Sequence, residues 1–522
     1  MSRTTHSLRN FIMSTFGAIL TILFNFISRT VLIKTLGSDY IGINGLFTNV
    51  LSMLSLADLG VGTAILYNLY KPIEDKDFHR ITVLMDFYKK LYRVIGLVIF
   101  VLGVCLIPFL PNIIKDYDRL RQLNINAVLL FLLFLFRTTS SYWFFAYKTA
   151  LVKAHQKEYV LKPIEFVFLL AMNILQILVL ILFKNYIFFI VVSIVMQLIQ
   201  NIVCALKTEK MYPYIKEKTP DRLEKSERKE IFKNCYALFL YKINTVVTNA
   251  TGNIVLSAFL GITSVGLYSN YTLIVTAIRS VVSKVYVAMT ASLGNLHAEG
   301  DVKHEEKIFN TVNFITFIMY GIAAIGMAIV CNDFVNVWIG NKYLISPMEI
   351  PGTGFSVSFP LLLGIEIYVL GINLFLSYFR NSMGLFQQGK YRPIATIIIN
   401  LAVSVFLVTK IGISGVVIGT IVSALATYIW YDPMIIYRHT FKTSTKEYWI
   451  KNLKYAVAVC VAGVISYKLC DVVNGNGIIF VILHGIICVL TSVAVFTAAF
   501  FRTEEFKYLS TMVKNLVKRK IK

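Results

Sequence analysis

The sequence predicts an all-α polytopic membrane protein of about 14 transmembrane helices, and three observations predict it. Apolar runs of 18 or more residues recur from one end of the chain to the other, each long enough to cross a hydrocarbon core of ~30 Å as a helix. The composition, 57% hydrophobic against 15% charged, is too apolar for the three soluble domains that 522 residues would allow. The basic residues, finally, fall overwhelmingly in the tails and in alternate loops between those runs.

The expected spans are 11–35, 41–69, 94–111, 124–147, 162–183, 186–206, 234–260, 264–296, 309–331, 353–379, 393–409, 412–437, 455–471 and 478–500. The opening "MSRTTHSLRN" and the apolar run behind it resemble a signal peptide. No small-residue cleavage site follows, so the segment is kept as helix 1. The seven cysteines are scattered, mostly inside spans, and read as small buried hydrophobes. The seven histidines lack ligand spacing, and His484 stands alone in its span. Neither a disulfide framework nor a metal site is expected.

The formal charge of +23 invites a nucleic-acid reading, which the distribution removes. Of 51 Lys and Arg, 38 lie in the tails and the loops on the N-terminal side of the membrane. The opposite side holds Lys34, Lys115, Arg119, Arg121, Lys184, Lys342, Lys410 and Lys468. This asymmetry places both termini in the cytoplasm, and the surplus charge serves topology and contact with anionic membrane lipids. The tail 501–522 repeats the theme: Phe506, Leu509, Val513 and Leu516 or Val517 share a helical face opposite lysines, as an interfacial helix requires. No nucleic-acid partner is needed. Five basic residues remain, Arg29, Arg137, Lys242, Arg279 and Lys284, inside helices 1, 4, 7 and 8. Facing lipid at mid-depth they would cost about 12–17 kcal/mol together.

Residues 207–233 form the longest polar break, with nine Lys or Arg, six acidic residues and two prolines. They read as a cytoplasmic linker between an N-terminal lobe (1–206, helices 1–6) and a C-terminal lobe (234–437, helices 7–12). Helices 13 and 14 (438–500) are then an appendage. The lobes repeat one another: "NFISRTVLIKTLGSDYIGINGLFT" (25–48) aligns without gaps on "NATGNIVLSAFLGITSVGLYSNYT" (249–272). The shared Asn25/Asn249, Gly37/Gly261, Gly42/Gly266 and Thr48/Thr272 weigh more than the shared Val and Leu. Six spans separate the copies, so the repeat is parallel, with a pseudo-two-fold axis along the membrane normal and a site expected between the lobes.

Polar stripes run along the repeat helices. Helix 1 carries Ser14, Ala18, Thr21, Asn25 and Arg29, and helix 2 carries Asn44, Thr48, Ser52, Ser55, Asp58 and Gly62. Helix 4 has Arg137, Ser141 and Lys148; helix 7 has Lys242, Thr245, Asn249 and Asn253; helix 8 has Ser269, Thr272, Thr276, Arg279 and Ser283. Small residues and hydroxyls suit plain helix packing. Buried cations do not, and they have two readings: snorkelling to the interface, open chiefly to Arg29 and Lys242 near their helix ends, or lining a water-filled cavity for an anionic cargo, the favoured reading for Arg29 and Lys242 as for Arg137 and Arg279. At similar depth lie the acids Asp58 and Glu366, either ion-pair partners or carriers of a coupling proton or sodium ion. Glu165 and Asp432, near cytoplasmic ends, read as interfacial. Helix 10 holds Pro360, Gly364 and Gly371 around Glu366, a composition that suits a bend beside a cavity.

Three stretches carry a family resemblance: "GLFTNVLSMLSLADLGVGTAILYNLYKPI" (45–73), "LGITSVGLYSNYTLIV" (260–275), and "QGKYRPI" followed by "KIGISGVVIGT" (388–420). Across almost the whole chain the sequence resembles bacterial Wzx-type polysaccharide and O-antigen flippases. These form the polysaccharide-transport branch of the multidrug/oligosaccharidyl-lipid/polysaccharide (MOP) exporter superfamily. The resemblance implies a MATE-like fold of two six-helix lobes around a central V-shaped cavity, in the cytoplasmic (inner) membrane of a bacterium. It implies a cargo of undecaprenyl-pyrophosphate-linked oligosaccharide moved to the outer leaflet, with a polysaccharide polymerase and a chain-length regulator as protein partners. By position, Arg29, Arg137, Lys242, Arg279, Lys284, Asn25 and Asn249 become expected cargo contacts, and Asp58 and Glu366 coupling or gating residues. No cofactor is implied beyond a coupling proton or sodium ion, and no catalytic residue.

Bottom-up chemistry agrees: a diphosphate wants arginine forks, and sugars want Asn, Ser, Thr and aromatic surfaces. A lipid II flippase and a drug or cation exporter are the alternatives, but drug exporters of the superfamily often carry a carboxylate in helix 1, and this helix 1 has none. A polysaccharide polymerase or glycosyltransferase would need a substantial extramembrane loop or an interfacial acidic pair. The longest outer-side loop, 332–352, has no clustered acids.

The charge distribution generates a topology test. In intact cells, single cysteines placed in 332–352 are expected to react with an impermeant thiol reagent, and cysteines in 207–233 to stay unlabelled. The reverse pattern overturns the orientation.

Overall fold

The computed structural model describes residues 3–55, 61–115, 117–122, 125–216, 221, 223–299, 301–349, 354–383, 385, 388–389, 391–473 and 475–511. Sixteen helices of nine residues or more build it. They are α1 (Arg3–Leu36), α2 (Ser38–Leu54), α3 (Val61–Glu74), α4 (Phe78–Leu106), α5 (Ala127–Trp143), α6 (Lys162–Phe183), α7 (Tyr186–Met211) and α8 (Lys225–Leu260). There follow α9 (Ile262–Glu299), α10 (Val302–Ile339), α11 (Phe359–Ser382), α12 (Arg392–Ile411), α13 (Ser414–Ala426), α14 (Tyr428–Ile436), α15 (Lys446–Val472) and α16 (Ile478–Phe500). A short hairpin, β1 (Met348–Glu349) with β2 (Ser356–Val357), lies between α10 and α11.

Every expected span has its helix, and two are divided. The span 41–69 becomes α2 and α3, and Asp58 lies outside the described residues. The span 412–437 becomes α13 and α14, divided at Thr427, whose hydroxyl donates to the Ser423 carbonyl (2.6 Å) and sits 2.9 Å from the Thr396 hydroxyl. Helices α8, α9 and α10 run longer than hydropathy suggests, at 36, 38 and 38 residues. That is about 54–57 Å of helix, well beyond a core of ~30 Å, so their polar ends extend past the hydrocarbon.

Ten segments among the described residues are long and apolar enough to span a membrane. Helix α6 is built inside-out: Asn173 and Gln176 are buried, and Gln176 donates to the Phe189 carbonyl at 3.2 Å, while Leu182 is 70% exposed. That arrangement is stable only where the surroundings are as apolar as leucine.

Contacts divide the chain into two compact units, residues 1–269 and 270–522, with the boundary inside α9. In the first unit, α8 packs on α2 and α3. The polar break 207–233 is clamped to the start of α4. Glu227 pairs with Arg80, Asp221 lies 2.8 Å from His79 Nε2, the Thr82 hydroxyl donates to the Tyr214 carbonyl, and Phe78 packs on Tyr214 with ring centres 4.7 Å apart. Its last nine residues, from Lys225, are already helical, and Glu227 caps the Glu224 N–H at 3.3 Å. Beside the clamp His155 stacks on Tyr212 at 4.4 Å, and burial with Lys157 nearby pulls its pKa down to about 4. It therefore stays neutral near pH 7.

In the second unit α10, α15 and α16 meet in an aromatic core. The Phe317 ring stacks on Tyr455 at 4.5 Å and lies equally close to Phe496, with Phe314 and Phe500 around them. Phe506 and Leu509 of the tail pack against this core; Val513, Leu516 and Val517 lie outside the described residues. Pro360 is the second residue of α11, where a missing N–H leaves no helix bond unmade. Gly371 of α11 lies so close to α10 that a Cβ would stand 2.2 Å from the Tyr320 ring. The composition read as a bend is thus a helix start and a close packing face.

Two further readings are corrected here. His484 is not alone: its Nδ1 lies 3.2 Å from Asp333 Oδ2 and its Nε2 3.0 Å from the Val473 carbonyl, which ties α16 to α10 and to the end of α15. Asp432 is not interfacial but fully buried, paired with Arg380 of α11 at 2.8 Å and with Arg392 of α12, whose guanidinium also covers the Tyr428 ring. Glu165, by contrast, is half-buried beside Lys162 at 2.8 Å.

The two acids should therefore respond differently to neutralisation. Asp432→Asn leaves two buried guanidinium groups without their carboxylate and is expected to cost about 3–5 kcal/mol, read as a large fall in the Tm of the detergent-solubilised protein. Glu165→Gln is expected to cost under about 1 kcal/mol. Equal effects would contradict the assignment.

Candidate functional site

The candidate residues divide between the units. Arg29, Asn25, Arg137, Lys242 and Asn249 belong to the first, and Arg279, Lys284 and Glu366 to the second. The side chains of Lys242 and Asn249 lie outside the described residues, although both positions are helical in α8.

On α1, Asn25 is exposed and Arg29, one turn further, is half-buried. The hydroxyls of the same helix turn inward on their own backbone: Thr21 donates to the Gly17 carbonyl at 2.7 Å and Thr30 to the Phe26 carbonyl at 2.6 Å. Such back-bonding satisfies a hydroxyl in apolar surroundings.

Arg137 comes from α5, an apolar helix of 17 residues. Its Nε donates to Gln197 Oε1 of α7 at 3.4 Å, and the Gln197 amide donates back to the Arg137 carbonyl at 3.1 Å. A neutral amide thus fixes the direction of the guanidinium without cancelling its charge.

Among the described residues, the second unit contains an ion pair that joins two candidates. Arg279 of α9 donates through Nη2 to Glu366 Oε1 of α11 at 3.1 Å. Glu366 is buried, and the Arg279 side chain keeps 29% of its surface. The contact uses one of five guanidinium donors, and Arg279 Nε is buried with no hydrogen-bond partner among the described residues. A carboxylate oxyanion or phosphate could take the remaining donors without breaking the pair. Lys284 is half-buried five residues further along α9, about 140° round the helix from Arg279, so the two do not share a face.

Aromatic groups flank this pair. Tyr320 and Tyr378 lie on the helices that face α9, with Tyr378 stacked on Tyr286 at 5.7 Å and the Tyr286 hydroxyl 2.8 Å from that of Thr316. These tyrosines passed unremarked in the sequence, where they look like membrane-interface residues; their clustering beside a charged pair comes from contacts between distant helices. The same holds for Arg380 and Arg392, which close over the Asp432 that the sequence places at the interface. The only sequence signal was an acid inside the apolar run "YIWYDPMII".

No protein-family model and no curated protein matches the sequence. Solved structures do. The lipid II flippase MurJ in an inward closed conformation superposes with a TM-score of 0.64 at 12% identity, covering 94% of this chain and 100% of that one. An inward-facing multidrug resistance MATE family transporter of the MOP superfamily gives 0.59 at 15% identity, covering 83% and 99%. The Vibrio cholerae MATE transporter VcmN gives 0.53 at 11% identity, covering 85% and 100%. At such identities the likeness is one of fold: the chain is an all-α, multi-pass membrane protein with a MATE-like fold, the fold of these MOP-superfamily transporters.

Proposed function

We propose that the protein is a flippase that moves an undecaprenyl-pyrophosphate-linked oligosaccharide from the cytoplasmic to the outer leaflet of a bacterial inner membrane by alternating access. The observation that carries the reading is the partial satisfaction of Arg279: a guanidinium on an apolar helix, held by one carboxylate, with a buried donor left over. The Arg380–Asp432–Arg392 cluster also keeps unmet buried atoms, and what sets Arg279 apart is exposure: its side chain keeps 29% of its surface, against 3% for Arg380 and 10% for Arg392. Arg137, steadied by a neutral glutamine, supports the same reading. A diphosphate supplies acceptors in the geometry that two arginines recognise.

The resting pair also supplies a route to coupling. A head group on the remaining donors of Arg279 shares the charge that stabilises the buried Glu366 carboxylate, and a proton or sodium ion on Glu366 offsets that loss. Cargo and coupling ion would then favour the same conformation, and each shifts the equilibrium only by its differential affinity. Asp58, which the sequence alone assigns to the polar stripe of the expected span 41–69, is the second candidate for this role. MurJ, whose structure shares the fold, is a lipid II flippase. Lipid II flipping remains the second reading for this chain, since that cargo is also a lipid with an anionic head group.

Two results are expected. The double substitution Arg137→Gln with Arg279→Gln abolishes glycan export at unchanged protein level, and lysine at both positions restores it only in part, because lysine offers a point charge instead of a fork. Full export by the glutamine pair would refute the charge argument. In proteoliposomes carrying the lipid-linked oligosaccharide, Glu366→Gln keeps cargo binding but loses transport driven by imposed pH or sodium gradients. If Glu366→Gln and Asp58→Asn both transport like the parent under every gradient, neither acid couples, and pull by downstream polymerisation explains direction.

A further inference from the structure

Helix α16 has two titratable side chains, His484 and Cys488, and no Asp, Glu, Lys, Arg or Tyr between Ile478 and Phe500. An imidazole buried on so apolar a helix has to be answered from other elements, and two of them do so. Asp333, in the last two turns of α10, brings a carboxylate oxygen within 3.2 Å of Nδ1. The Val473 carbonyl, just past the end of α15, lies 3.0 Å from Nε2. Two thiols complete the surroundings. Cys470 of α15 donates to the His484 carbonyl at 3.9 Å and interacts with Cys488, one turn along α16, and with Asp333. Lys468 and Asp471 of α15 are exposed, and Cys331 of α10 stands within range of Tyr271.

Both ring nitrogens therefore face oxygens that cannot donate, a carboxylate and a backbone carbonyl. A neutral imidazole donates at one nitrogen and carries a lone pair at the other, so it would set that lone pair against an oxygen. The imidazolium donates at both and adds the attraction of opposite charges to the Asp333 contact. Only the protonated ring makes both bonds. Exposure gives the proton a route: the His484 side chain keeps 8% of its surface, while Asp333 keeps 52% and opens the pair to water.

Other contacts of the same helices do not depend on a proton at His484. Asn332, next to the acid, accepts a 2.8 Å bond from the Tyr271 hydroxyl of α9, which itself accepts the Ile345 N–H at 3.3 Å. The aromatic core of Phe317, Tyr455 and Phe496 joins α10, α15 and α16 by apolar contact. His484 adds a proton-dependent tie to a joint whose aromatic and phenolic contacts are indifferent to pH.

We infer that His484 and Asp333 form a proton-operated staple. With a proton on the imidazole, α16 is pinned to α10 and to the end of α15; without it, one of the two bonds is lost. The tie forms as pH falls and is lost as pH rises. This proton site touches no cargo and stands apart from the flippase reading.

The purified full-length protein in detergent tests it, with Tm read from about pH 5 to about pH 9, on either side of the ordinary imidazole range. Each variant is compared with its parent at the same pH, which cancels general effects of acid and alkali. Asp333→Asn keeps the shape of the acid without its charge. It is expected to lower Tm by a few degrees at the acid end, and the gap should close or reverse at the alkaline end. Asp333→Ser replaces it should the asparagine variant fail to fold. In a His484→Gln background the effect of Asp333→Asn should lose its pH dependence, since the titrating partner is gone. Tyr271→Phe, which removes a bond between neutral groups, should lower Tm by the same amount throughout. An Asp333→Asn gap that is equal at every pH, or widens towards alkali, overturns the inference. So does a pH-dependent gap that survives His484→Gln.

Discussion

Everything in this protein follows from one constraint: inside a hydrocarbon layer, no polar group can borrow a partner from the solvent. The backbone meets it by being helical nearly throughout, since a helix satisfies its own N–H and C=O groups. Side chains meet it locally where they can, as when Thr21, Thr30 and Thr251 bond back to their own helices. Charged groups cannot be satisfied in that way, and each buried one is a decision about what lies beside it.

The chain shows three such decisions. Asp432 is enclosed by two guanidinium groups, an arrangement that fixes the meeting point of α11, α12 and α14. Arg137 is steadied by a glutamine and keeps its charge. Arg279 is half-answered, with one carboxylate and a donor to spare. The gradation runs from closed to open, and it separates architecture from recognition. A charge shut in by its partners makes a joint, while one that keeps open surface is available to a ligand. Held on rigid helices, such a charge needs little reorganisation when an anion arrives.

The membrane helices were legible because hydrophobic runs of fixed length report burial in lipid directly: all the expected spans recur as helices, and ten described segments are long and apolar enough to cross a membrane. Their ends were less so. The polar turns that open α8 and α10 look like loop to a hydropathy count, yet Glu224 with Glu227, and Asp301 capping His304, start helices there. The repeat was legible as a one-dimensional match; that Gly42 and Gly266 touch one another could not be read from it. Pairings between distant segments were the least legible. Asp333 and His484 are 151 residues apart and Arg279 and Glu366 are 87 apart, and no local pattern encodes which helices will lie side by side. Asp432 was misread because a carboxylate near a helix end usually reaches water; here Arg380 and Arg392 close over it.

The central claim is that cations are buried on these helices to receive a diphosphate. Equilibrium binding of polyprenyl diphosphate and of the uncharged polyprenol of equal chain length, to the purified protein in detergent by native mass spectrometry, tests it most directly. The account predicts that the diphosphate binds at least about tenfold more tightly, the worth of roughly one charge-assisted contact, and that the preference shrinks when Arg137 and Arg279 are neutralised. Equal affinity for the two lipids, or a preference that survives neutralisation of both arginines, would contradict it.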